Sequence, residues 1–484
     1  MNKYSYHNFM FPFQWKIKGF ENKIFSEQIC LKNIDYSNSS NWERLTNPNV
    51  ENDNDVLYNE RNYFYKFVHD ALYDTGEENS LIRHYERQET KRGEVSYVVN
   101  CGEKVYELKA YSINLNLYST GVGVLSFYLY NEKYPNPSDV LKINQSGRRI
   151  FPPYIKSVEY RGIIADSIEI KGLHGNENGY REDFNSYTSK TENNKPASFL
   201  VDMIHEVARN IEIRPVVDDR MFVQCWYKND EWTSQFKANY ESFLDGNPWY
   251  EFVFVDFLGD ISCKNKAMQH KLIKDATYER WQEEGSLYGV SRYSMVFLTG
   301  NTCPDFLFDI FETMYARMAE LILVQKSSVL RFSTEVTNIS NMEEEKNFSE
   351  KVSSLYKEYI RFVNQIHFRE VSAQDQGIEL YNMLYKVMNI REHVDKLDEE
   401  IGELYNYVSL REDRKQNRTI SLLTWIATIA VPMTMVAGIF GMNNRAFGSD
   451  EVWYNDVIFQ ILAAAFVTVV VIIILLFIKN RKSR

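Results

Sequence analysis

The chain has 484 residues, with 44% hydrophobic and 25% charged side chains and a formal net charge of −11. That is the composition of a globular protein long enough for more than one domain, and it excludes a disordered or collagen-like chain. The acidic balance argues against a protein that coats nucleic acid.

The N-terminal stretch MNKYSYHNFMFPFQW has no apolar run followed by small residues, so no signal peptide is expected. The five cysteines (Cys30, Cys101, Cys225, Cys263 and Cys303) are scattered, without a C-x-x-C pair. They fit reduced thiols in a cytosolic domain and not a zinc site. Residues 95–131 read as an antiparallel meander: Val95–Asn100, Val105–Asn116 and Gly121–Tyr130 are β-rich, with turns at Cys101-Gly102-Glu103 and Ser119-Thr120-Gly121. Ser146-Gly147-Arg148-Arg149 then places paired arginines after a glycine, near an expected strand end. Such a pair can bind an anion such as phosphate; it can equally be two solvated arginines in surface pairs.

His205-Glu206 in the amphipathic stretch MIHEVARNI lacks a second ligand nearby, and His174 sits in the loop GLHGNENG, whose glycines and asparagines need no chemistry to explain them. No G-x-x-x-x-G-K-[ST], H-E-x-x-H or G-x-S-x-G is present, so an enzyme is not expected. Further strands are predicted at Phe252–Phe257 and Tyr293–Leu298, giving an α/β or α+β class. Gly285 to Tyr293 forms a polar, glycine-bearing segment that reads as a turn or as part of a ligand pocket.

No proline separates Pro304 from Pro432, a span for helices. Within it Leu380, Met383, Val387, Ile390, Val394, Leu397, Ile401, Leu404 and Val408 recur in steps of three and four. This coiled-coil seam predicts one helix running from Leu380 to Phe440. The seam can pack on helices of the same chain or on copies of itself about an axis. The acidic runs Glu343–Glu345 and Asp398–Glu400 read as solvated helix faces or as holders of regulatory magnesium.

Two charge-free stretches follow, 420–440 and 457–478, each long enough to span a bilayer as a helix. Arg411, Arg414, Lys415 and Arg418 precede the first, and Lys479, Arg481, Lys482 and Arg484 follow the second. Basic flanks stay inside, so both termini are expected in the cytoplasm, and the protein in the inner or plasma membrane. Gly441-Met442-Asn443 closes the first span. Gly441 can leave the helix, and a ring of Asn443 amides suits a hydrated hard cation, since magnesium gives up its water reluctantly.

This GMN tripeptide, placed at the end of the penultimate span before a short acidic loop, a final span and a basic tail, resembles the CorA family of magnesium channels. The resemblance implies a homopentamer in which the first membrane helices line the pore. Asn443 would form the outer selectivity ring with Gly441 and Met442, holding Mg²⁺ through its water. Thr434, Val431, Leu423 and Ile420 would line the pore, and Asn417 would sit at its inner end. Ile420, Leu423 and Val431 would make a hydrophobic constriction that gates by dewetting. Two departures stand out: Asn444-Arg445-Ala446-Phe447 follows the tripeptide, and the cytoplasmic part is larger than in relatives.

The expected organisation is an enlarged α/β domain (1–304), a helical stalk (305–419), a pore helix (420–440), an outer loop (441–456), a second span (457–478) and a basic tail (479–484). The stretch STGVGVL…NQSGRRIFPPY also looks similar to an enlarged CorA-like branch associated with type III CRISPR defence. That similarity implies an effector channel opened by a nucleotide second messenger, such as S-adenosylmethionine joined to AMP, with Arg148 and Arg149 as the ligand-binding candidates. A membrane-tethered binding protein without a pore is the third alternative.

Overall fold

A computed structural model describes residues 3–37, 40–46, 60–151, 165–174, 179–187, 196–216, 219–257, 261–341, 347–441, 460, 463–468 and 470. Two compact units result, Met1–Gly402 and Glu403–Arg484.

The first unit is built on a mixed sheet of thirteen strands among the described residues. They are β1 (Ser5–Ile17), β2 (Trp42–Arg44), β3 (Ile82–Arg87), β4 (Ser96–Cys101), β5 (Lys104–Tyr118), β6 (Val122–Asn131), β7 (Ser167–Lys171), β8 (Tyr180–Asp183), β9 (Ile211–Pro215), β10 (Phe222–Lys228), β11 (Thr277–Tyr278), β12 (Ser286–Val290) and β13 (Ser294–Thr299). The order is β11-β12-β13-β10-β1-β6-β5-β4-β7-β8. Pairing is antiparallel except between β10 and β13. β1 pairs with β6 along one edge and with β10 and then β9 along the other. β5 likewise pairs with β6 on one side and with both β4 and β3 on the other.

The expected meander is present as β4, β5 and β6, and both of its turns carry a glycine at positive φ, Gly102 at 63° and Gly121 at 75°. β1, in the stretch read only for a targeting signal, is the central strand. Its near-continuous apolar run suits burial on both faces. Tyr6 meets Phe308 and Phe311, which lie on α5 (Asp305–Glu312). The next residue, His7, pairs with Asn144 on α2 (Pro137–Gly147) at 2.7 Å. Alternate residues thus face opposite helical layers. The remaining helices used below are α1 (Phe25–Gln28), α3 (Ser198–Val207), α4 (Asn247–Phe254), α6 (Met314–Ser340), α7 (Phe348–Gln365), α8 (Asp375–Val387) and α9 (Ile390–Gly441).

Three expectations need correction. The strand predicted at Phe252–Phe257 is the end of α4: Pro248 sits in its first turn, and Trp249, Phe252 and Val253 bury one side of it. The single helix predicted from Leu380 is two, α8 and α9, because Asn389 adopts φ 54° and breaks the hydrogen-bond ladder. Ser146-Gly147 closes a helix instead of lying near a strand end.

Val394, Leu397, Ile401 and Val408 are buried within the single chain. Tyr359 of α7 donates to the Val394 carbonyl at 3.4 Å, so part of the seam packs on the same chain. Asp398–Glu400 are exposed, and Glu343–Glu345 lie outside the described residues. The cysteines are free thiols.

His7 and His84 are buried in the sheet, and desolvation holds each imidazole down at about 4, against a pull upward from Asn144 and Asn116 respectively. Their protons bind only after unfolding, so stability is complete above about pH 6.5 and falls as the pH drops toward 4. Each histidine contributes about 1.4 kcal/mol per pH unit in that window. Glu312, raised by burial to about 7, acts in the opposite sense, losing its contribution as the pH rises through 7. Chemical unfolding of a His84→Gln variant should therefore lose less stability between pH 7 and pH 5 than the parent does; an equal loss in both overturns the assignment.

Candidate functional site

α2 ends against β1. A Cβ on Gly147 would lie 2.8 Å from the Phe9 ring, so only glycine lets the helix end approach this closely. Tyr97 donates to the Gly147 carbonyl at 2.7 Å, satisfying one of the carbonyls left open at the helix end. The chain then pairs with the segment before β10: Ile150 donates to the Asp219 carbonyl, and Met221 to the Arg148 carbonyl. Arg149 faces Arg220 in an isolated antiparallel bridge.

These backbone bonds gather three guanidinium groups around one carboxylate. Arg149 Nη1 donates to Asp219 Oδ2 at 2.6 Å, and Arg220 donates to both Asp219 oxygens, at 2.5 and 3.0 Å. Arg148 Nη2 reaches Gln145 Oε1 at 3.2 Å and the Val255 carbonyl at 3.0 Å. Arg148 and Arg220 lie over the Tyr293 ring, at 5.5 and 5.0 Å from its centre. Arg148 is 1% exposed and Arg149 5%, so neither is a solvated surface group. Nε and Nη1 of Arg148 are buried with no hydrogen-bond partner.

Burial, reinforced by the charges of Arg149 and Arg220, pulls Arg148 well below the ordinary arginine value, with Asp219 opposing. Burial pushes the Asp219 carboxyl up, but the Arg220 hydrogen bond and the three positive charges outweigh it and hold the group low. The cluster therefore carries more positive charge than its own carboxylate neutralises, with unused donors. That is the chemistry of an anion site.

Two features of the cluster lay outside the sequence reading. Asp219 and Arg220 come from a segment about seventy positions from Arg149. Val255, whose carbonyl receives Arg148, sits at φ 49°, a left-handed conformation rare for a β-branched residue. Beside Tyr293, Arg292 Nε donates to the Val387 carbonyl at the end of α8, two residues before the break at Asn389.

The other histidine motifs are structural. Glu206 accepts from Trp42 at 2.9 Å and from Arg87 and Tyr180, and His205 pairs with the Ile211 carbonyl. The His174 carbonyl receives Arg87 at 2.6 Å. Among the described residues, no group of three His, Cys, Asp or Glu could hold a metal ion.

The pore candidates lie on α9, where Asn417, Ile420, Leu423, Val431 and Thr434 are all exposed in the single chain. Leu423 is 59% and Val431 62% exposed. Thr424, Thr428 and Thr434 each donate their hydroxyl back to a carbonyl of their own helix. Gly441 is the last residue of α9, while Met442 and Asn443 lie outside the described residues. Among the described residues, no helix is long and apolar enough to cross a membrane. The second expected span, 457–478, is described only at 460, 463–468 and 470.

Breaking the buried cluster should be costly. Asp219→Asn would leave three guanidinium groups without their carboxylate and should lower stability by about 3 kcal/mol or more, read by chemical unfolding. A loss below about 0.5 kcal/mol, typical of a surface substitution, would refute the burial of the charge cluster.

Comparison with known proteins places the C-terminal part. Residues 294–481 match the family described as CorA-like Mg²⁺ transporter protein. No curated protein sequence matches the chain. One solved structure that it is similar to is titled "structure of the full-length CmaX protein", at 13% identity and a TM-score of 0.18, covering 56% of this chain and 94% of that one. From β13 through the final apolar stretch, the chain is therefore similar to the CorA-like Mg²⁺ transporter family.

Proposed function

We propose that the protein is a homopentameric CorA-like membrane channel that passes Mg²⁺ or a related divalent cation down its gradient, gated through its cytoplasmic domain. The observation that carries this reading is the stretch of α9 before Gly441-Met442-Asn443. Ile420, Leu422, Leu423, Ile426, Ile429, Val431 and Met433 are all exposed there, and at about 100° per residue they spread around the helix. Its described threonine hydroxyls are satisfied within the helix. Apolar exposure on this scale calls for lipid or other helices as its surroundings, not water.

In this reading 420–440 lines the pore and 457–478 faces lipid, with both termini cytoplasmic. Asn443 forms the outer ring that holds Mg²⁺ through its water shell, and Ile420, Leu423 and Val431 form the dewetting gate between Asn417 and Thr434. No residue is assigned a catalytic role. A pentamer in detergent, and Mg²⁺ flux into dye-loaded liposomes that Asn443→Ala reduces about tenfold or more, are the expected results. A monomer, or unchanged flux in the variant, overturns the pore.

A second reading keeps the pore and makes it an effector opened by a nucleotide second messenger, as in the CRISPR-associated branch. The unsatisfied Arg148 donors favour it, because buried donors without a partner are costly and a phosphate would supply acceptors. The contact from Arg292 to Val387 offers a route from the cluster to the α8–α9 break. Channels that stay shut until nucleotide is added, and that Arg149→Gln leaves shut, support this reading; ligand-independent flux in the parent refutes it.

A further inference from the structure

A cavity sharing no residue with the Arg148 cluster lies where β1 and β9 meet α6. Its volume is about 150 Å³, and Arg331 and Glu335 of α6 line it together with Lys16 of β1 and Arg214 of β9. Lys23, just before α1, and Lys351 of α7 complete its basic wall. Five cationic side chains face three carboxylates, Glu21, Glu212 and Glu335.

Much of that charge is already engaged. Lys16 and Arg214 share Glu212, at 3.0 and 2.9 Å, and Lys23 lies 3.6 Å from Glu27. Arg331 differs. It is 5% exposed, rests over the Phe25 ring at 5.4 Å, and has neither Nε nor Nη2 hydrogen-bonded. Glu335, one turn along α6, approaches Nη2 only to 3.5 Å, an ion-pair distance that satisfies neither donor.

Nε–H and Nη2–H form one edge of the guanidinium plane, a fork that matches two oxygens of a single oxyanion. Burial pulls Arg331 below its ordinary value, with Glu335 opposing. A bound anion would reverse that penalty.

We propose that this cavity is a binding site for a phosphate group, held bidentately by the Nε–Nη2 edge of Arg331 and supported by Lys16, Lys23, Arg214 and Lys351. Size limits the occupant. A cavity of about 150 Å³ holds a benzene-sized molecule, which admits a phosphate group and not a whole nucleotide. The source is therefore free phosphate or the terminal phosphate of a larger molecule that projects outward. Either would tie the β1–β9 corner of the sheet to α6, and this inference does not depend on the Arg148 cluster or on the pore.

The test is equilibrium binding by the full-length protein in detergent of inorganic phosphate and, separately, of ATP, each against sodium chloride of equal ionic strength. Binding of phosphate alone identifies the free ion. Binding of ATP alone, weakened by the substitutions below, identifies a terminal phosphate. Arg331→Gln should weaken affinity about tenfold, the worth of one charge-assisted bidentate contact.

Because Arg331 is buried, two further variants keep the test decisive should that one fail to fold. The exposed pair Lys23→Gln with Arg214→Gln should weaken binding severalfold. Glu335→Gln, which removes the competing carboxylate, should tighten it severalfold. Failure of both probes to bind, or affinities unchanged in both the double variant and Glu335→Gln, overturns the proposal. None of these variants touches Arg148, Arg149 or Asn443, so their outcome is separable from that of the channel reading.

Discussion

The N-terminal unit depends on one strand being buried on both faces. β1 carries hardly any residue that can be given to solvent: Tyr6 points into the aromatic cluster of α5, while His7 and Phe9 point toward α2. A strand in that position must satisfy its polar side chains internally. Gln224 on the adjacent strand therefore receives Asn8 at 3.1 Å and donates to the Phe311 carbonyl at 2.6 Å, joining the sheet to the last turn of α5. Buried polar bonds of this kind select one register, because a slip by one residue would send Asn8 and His7 to each other's layer.

The same commitment positions the arginine cluster. α2 can reach Phe9 only because residue 147 has no side chain, and the chain emerging from that helix runs along the segment before β10. Arg148 is carried inward by this route. The cluster thus depends on a packing contact in the core as much as on its own charges.

Local pattern and chemistry were legible in the sequence, and long-range pairing was not. The β4–β6 meander follows from alternation bounded by glycines at 102 and 121, both of which need positive φ. The arginine pair at 148–149 was visible as a motif, but its burial depends on Asp219, Tyr293 and Val255, which no local pattern connects to it. An aromatic, β-branched run misled at Phe252–Phe257, because Pro248 and the apolar spacing of Trp249, Phe252 and Val253 set up a helix instead. The seam from Leu380 to Val408 has the right period on both sides of Asn389, so periodicity alone conceals a backbone break that preserves the apolar face. Pocket residues such as Arg331 escaped notice because a single arginine in an amphipathic helix reads as surface.

Val255 has a consequence for how the cluster can change over evolutionary time. A valine held at φ 49° costs the fold on the order of 1–2 kcal/mol, which glycine would recover at once. Glycine there would also free the backbone whose carbonyl now anchors Arg148. Selection for stability alone would therefore drift this position toward glycine and loosen the guanidinium. Valine there holds the carbonyl rigid at the expense of that stability.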